Sequence, residues 1–271
     1  MKKFFNITIY VFAVIGFVLT AGFFAVKYGF TNTKGIIDIQ RENFLDSGKI
    51  SNPTTTENLY WENLAEWQTL KAAIEKDIPI IQKASDDAGV SSRLIVSALM
   101  VEQLRFFYTE REVYKKVFEP LKILGSETQF SWGVMGVKEE TAIQIEENLA
   151  SSTSPFFLDS EHEHILDFKT SDVKQERFER MTDEHNHYYS YLYAGLYMKE
   201  VMSQWQKAGY DISKRPDLIL TLYNIGFANS KPNSDPHSGG AEIKIYDQTY
   251  SFGSLASEFY YSNEFLKEFP K

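Results

Sequence analysis

No cysteine occurs among the 271 residues, so no thiol needs oxidising or protecting, which suits an exported protein. Positive charge is also scarce. The 28 Lys and Arg against 37 Asp and Glu leave a net charge of -9 and no basic stripe. That balance argues against a nucleic-acid partner and against electrostatic attachment to anionic lipid. Internal repeats are lacking as well. Charge is missing altogether from residues 4–26, and this absence is the first positive signal.

An uncharged segment of that length can cross a hydrocarbon core of about 30 Å as a helix. Lys2 and Lys3 before it favour an inside N-terminus and an exported remainder. A cleaved signal peptide is the competing reading, with Ala21, Gly22 and Ala25 as small residues near a cut. Its apolar region is normally only about 7–15 residues long, so length favours an uncleaved anchor. The expected organisation is an anchor at 1–27, a polar linker at 28–56 and one folded domain at 57–271. Ser51, Asn52, Pro53 and Thr54–56 close the linker.

The folded part reads as mainly α. A helical pattern runs over 61–87, with Gly89 as its stop and Pro79 expected to kink or split it. Ser91 and Ser92 cap a second helix carrying Leu94, Ile95, Ala98, Leu99 and Glu102. Further helices are expected at 139–149, at 187–208 and from Pro216 to a stop at Gly226. Residues 150–183 read as a polar insertion, partly loop. A short hairpin over 243–252 and a closing helix over 254–269 complete the chain.

Glu102 continues the apolar face of its helix at the next i+3/i+4 position. A carboxylate there must be paired or neutral, and a neutral acid is what glycosidic cleavage requires. The plainer alternative is a helix that ends near Met100, leaving Glu102 in solvent or paired with Arg105. Two His-x-His runs, His162/His164 and His185/His187, do not suit a metal site, because such spacing aligns imidazoles only on a strand. The tyrosines at 188, 189, 191, 193 and 197 sit at helical spacing and read first as core.

Downstream of Glu102 come Ser131-Trp132-Gly133-Val134-Met135-Gly136-Val137 with Thr141-Ala142. Ala194-Gly195-Leu196-Tyr197-Met198 follows, and then Leu222-Tyr223-Asn224-Ile225-Gly226. In this order the segments resemble the soluble-type lytic transglycosylases and the related goose-type lysozymes, over about residues 90–226. The resemblance implies a lysozyme-like transglycosylase domain with Glu102 as the single catalytic acid/base. It also implies cleavage of the β-1,4 bond between N-acetylmuramic acid and N-acetylglucosamine of peptidoglycan, leaving 1,6-anhydro ends. Substrate-assisted enzymes need no second carboxylate. Asp183, Glu184 and Glu127 are the candidate partner carboxylates, with nothing to choose between them.

The resemblance further implies that Ser131, Gly133 and Met135 line the cleft, the last two through main chain. Tyr223 is expected to aim its hydroxyl at Glu102, and Asn224 to serve the turn beside the substrate. No cofactor or metal is implied. The implied partners are glycan strands, the membrane through the N-terminal helix, and a larger envelope-spanning assembly. The implied location is the cell membrane, single-pass, with the catalytic domain outside.

Three residues and two intervals depart from the family pattern. Gln103 stands where Ser is usual, Gly136 where Gln is usual, and Glu139 where Pro is common. The 102–131 and 142–194 intervals are also long. Two alternatives follow: a lysozyme that hydrolyses the same bond, and a catalytically silent wall-binding or scaffold module.

Overall fold

The computed structural model describes residues 59–108 and 133–271, with isolated positions between 10 and 45. Two compact units divide the chain, Met1–Gly35 with Glu110–Phe130, and Ile36–Thr109 with Ser131–Lys271. In the first, the described positions Tyr10, Ala13, Val14, Gly16, Phe17, Thr20 and Ala21 are helical, and Thr20 donates to the Gly16 carbonyl at 2.7 Å. The expected anchor over 4–26 therefore lies mostly outside the described residues, as does most of the linker. Among the described residues no helix is long and apolar enough to cross a membrane.

The second unit is mainly helical. After a 3-10 turn at Tyr60–Asn63 come α1 (Ala65–Ala88), α2 (Ser92–Tyr108), α3 (Glu139–Ala150), α4 (Val173–Thr182), α5 (Tyr188–Lys207) and α6 (Pro216–Ile225). An antiparallel hairpin of β1 (Glu242–Ile245) and β2 (Gln248–Ser251) leads into α7 (Phe252–Tyr261).

Pro79 does not split α1, which runs unbroken for 24 residues. The proline lies on the exposed side, where water can take up the Glu75 carbonyl bond that its missing N–H leaves open. The inner side buries Trp67, Leu70, Ile74, Ile81, Ala84 and Ala88. Gly89 ends the helix at φ 64, and Val90 N–H returns to the Ser85 carbonyl, a Schellman closure.

α5 occupies the middle, packed against α1, α2, α3, α4 and α6. It is buried from Ser190 to Met198 on every side, as its unbroken apolar run requires. Tyr191, Tyr193 and Tyr197 are core rings, and the first two place their polar ends on carboxylates. Tyr191 donates to Asp77 on α1 at 2.6 Å, and Tyr193 to Glu146 on α3 at 2.6 Å. Burial, and then the carboxylates, raise both phenols above the ordinary tyrosine range. Arg177 of α4 forks onto the same Glu146 at 2.7 and 2.6 Å. At Gly195 a Cβ would stand 2.8 Å from the Ala88 methyl, so glycine lets α5 meet the end of α1.

The 150–183 stretch holds one helix that its polarity conceals. In α4 the buried side chains are Arg177, Arg180 and Met181, so its inner face reads as charged. Arg180 donates to the Leu166 and Asp167 carbonyls at 2.8 and 2.7 Å and to Glu176 at 2.5 Å. Burial pushes the Glu176 carboxyl up, but N–H bonds from Lys169 and Thr170 outweigh it and hold the group at about 2.

The closing helix is shorter than its apolar pattern predicts. It stops at Tyr261, and Phe265 takes φ 51, which no helix continues through. Glu258 of α7 is 8 % exposed and accepts from Trp61 Nε1 at 3.2 Å. Burial pushes its carboxyl up to about 7 from an ordinary 4.5, with the Trp61 bond opposing. Between those values the folded chain holds a proton that the unfolded chain has lost, so stability falls as pH rises from about 4.5 to 7. The loss is of the order of 2–3 kcal/mol. Glu258→Gln keeps the indole bond and is expected to remove that slope, measured as the difference between two stability–pH curves. Parallel curves would contradict it.

Candidate functional site

The first element of the site is α2. Every residue from Arg93 to Glu102 is buried, so the helix runs through the interior rather than presenting one apolar face. Ser91 accepts the Arg93 N–H at its start, at 3.2 Å. The helix passes Met100 and continues to Tyr108, which keeps Glu102 inside.

Glu102 is 3 % exposed, and its Oε2 lies 2.5 Å from Nη2 of Arg105, itself 3 % exposed. Both of these anticipated features are present together: the acid is on the core side and the arginine is its partner.

The second element is the turn at 133–136. Gly133 and Gly136 have φ of 62 and 65, values that glycine adopts without penalty. A Cβ at Gly133 would fall 2.2 Å from the Met181 carbonyl oxygen and 2.1 Å from Ser190 Oγ, so the turn is wedged between the end of α4 and the start of α5. A Cβ at Gly136 would stand 2.7 Å from Glu102 Oε2 and 3.0 Å from its Cδ. Glycine at 136 thus makes room for the carboxyl itself. Gln103 donates to the Val134 carbonyl at 2.5 Å, which ties α2 to this turn.

Tyr223 near the end of α6 is the third element. Its hydroxyl donates to the Met135 carbonyl at 2.7 Å, and its ring packs at 5.2 Å from Tyr197 and 6.3 Å from Phe252. The bond that locates this hydroxyl is to the turn against which Glu102 rests. Met135 has no side-chain exposure, so only its main chain takes part. Asn224 is 2 % exposed and accepts the Ala241 N–H at 2.8 Å, which places its oxygen on the segment entering the hairpin. Gly226 ends α6 at φ 92. Ser131 lies outside the described residues.

Three of the five histidines go to nearby carboxylates. His162 Nδ1 is 2.7 Å from Asp159, His164 Nδ1 is 3.1 Å from Asp167, and His187 Nδ1 is 2.6 Å from Asp77. Among the described residues no three such side chains gather as a metal site. Sequence reasoning missed the Glu146–Arg177–Tyr193 cluster. Glu146 reads as a solvated helix residue until α4 is known to be a helix.

Fold and site together define a mainly helical domain in which α2, the 133–136 turn and α6 converge on one buried carboxyl. Comparison with models of protein families, with curated proteins and with solved structures found no match in any of the three.

Proposed function

We propose that the chain is a peptidoglycan lytic transglycosylase tethered by its N-terminal segment, with Glu102 as the single acid/base. The observation that supports this best is the meeting beside Glu102 of two segments that carry the family resemblance and stand far apart in sequence, the 133–136 turn and the end of α6. Gly136 leaves open the space beside the carboxyl that a side chain would fill, and Tyr223 bonds the residue before Gly136. In the proposed reaction Glu102 gives its proton to the glycosidic oxygen as the bond from muramoyl C1 breaks. The resulting carboxylate then takes the proton of the muramoyl 6-hydroxyl as that oxygen closes on C1. Glu102 ends as it began and no water is consumed.

The ion pair favours a second reading. A carboxyl held at 2.5 Å by a buried arginine must shed that partner before it can protonate a sugar. A silent wall-binding module would have no need to shed it. Digestion of purified peptidoglycan by the full chain, with mass analysis of the ends, separates the readings. The proposal expects 1,6-anhydro-muramoyl ends. Reducing muramic ends would indicate hydrolysis, and intact strands a binding module.

A further inference from the structure

At the tip of the β1–β2 hairpin the two turn residues are Tyr246 and Asp247, between the paired Ile245 and Gln248. Tyr246 has φ 54, whereas Asp247 has no positive φ. That φ pattern is the one of a II′ turn, whose first position is normally glycine. A tyrosine there is strained, and such strain tends to persist where a function holds it. The side chain gains little from the core in return, because it is 63 % exposed.

The ring is nevertheless braced. Tyr108, the last residue of α2, meets it edge to face with centroids 5.2 Å apart and planes at 67°. An edge contact on one side leaves ring surface open to water. Tyr60, 39 % exposed, sends its hydroxyl to Asp247 Oδ1 in a long bond of 3.4 Å. The hairpin tip therefore offers a rigid aromatic face with phenol and carboxylate groups around it. Flat apolar faces with hydrogen-bonding rims match the C–H faces and hydroxyls of pyranose rings. The location also fits. Tyr108 stands six residues beyond Glu102 on the same helix, about 9 Å along the axis at 1.5 Å per residue.

We infer that Tyr246, braced by Tyr108, is a stacking platform for a sugar ring of a β-1,4-linked N-acetylated glycan strand, outlying from Glu102. The inference rests on the proposed glycan-cleaving function and adds to it a subsite that positions the strand. Tyr246 touches no reacting atom, so its removal weakens binding while the chemistry persists at saturating substrate.

The test uses the full chain in detergent, with a soluble β-1,4-linked N-acetylglucosamine hexamer and peptide-free glycan strands as probes. Tyr246→Gly relieves the turn, so its Tm is expected to equal or exceed that of the parent. Its affinity for the hexamer is expected to fall roughly 3- to 10-fold. Tyr246→Phe keeps the ring and is expected to bind as the parent does. Tyr246→Gly with parental affinity, in a chain that binds and cleaves, overturns the platform and leaves the proposed function standing. A fall in its Tm overturns the strain argument and the platform with it. A parent chain that neither binds the hexamer nor cleaves strands overturns both.

Discussion

Arg93→Lys is expected to cost about 3–5 kcal/mol of stability and to lower Tm by roughly 10 °C. The guanidinium has no exposed surface, and every one of its N–H groups is used. Nε donates to the Tyr260 carbonyl at 2.6 Å. Nη1 donates to Glu264 and Phe269 at 3.0 and 2.9 Å, and Nη2 to Phe259 and Ser262 at 3.0 and 2.8 Å. Three of these carbonyls belong to the last turn of α7 or its cap, where helix geometry leaves acceptors without partners and the helix dipole is negative. The rings of Phe259 and Tyr260 lie 5.3 and 5.9 Å from the guanidinium carbon. Burial lowers the Arg93 pKa from its ordinary value, but the carbonyl cage suits a charge there. A lysine keeps the charge and cannot span five acceptors, so buried carbonyls would lose their donors. Thermal unfolding of both chains measures the effect. A shift below about 2 °C would show that the cage is dispensable.

Gly136→Ala is expected to slow glycan release by about 100-fold or more while the fold survives. The new Cβ would stand 2.7 Å from Glu102 Oε2, well inside contact distance. Either the carboxyl or the turn must move, and displacement of a reacting group by about 1 Å is worth a factor of that size. The positive φ adds strain of about 1–2 kcal/mol, seen as a modest fall in Tm. Gly136→Gln is expected to be worse, because a longer side chain must leave the same space. Parental rates from Gly136→Ala would mean that Glu102 need not stay where it is.

Much of this arrangement is legible in the sequence where local signals and tertiary packing agree. Gly89, Pro216 and Gly226 end or open helices where expected because each meets a backbone demand that few other residues satisfy. The buried position of Glu102 is legible because it continues an apolar run, although α2 is buried on every side there and not on one face alone. Where tertiary contacts override local pattern, the reading fails. The helix α4 hides because arginines supply its buried face. Pro79 does not split its helix because its disruptive side faces water. Residues 262–269 look helical from their apolar spacing, but Arg93 gathers their carbonyls into a different path. One signal for Arg93 was present and easily missed. A cation in the first turn of a helix opposes the dipole, so its charge had to be used elsewhere. Nothing local marks Tyr246 as a residue of positive φ, because glycine is the usual sign of such a turn.

Glycan cleavage is proposed to depend on the Glu102 carboxyl, and Glu102→Gln in the full chain tests this most directly. The substitution nearly preserves size and leaves Arg105 without its charge partner, so folding is verified first by thermal unfolding and by retained binding of the N-acetylglucosamine hexamer. On purified peptidoglycan the parent is then expected to release soluble 1,6-anhydro fragments, and the folded variant to do so at least 100-fold more slowly, as removal of a general acid requires. Equal release by the two folded chains would contradict the central claim.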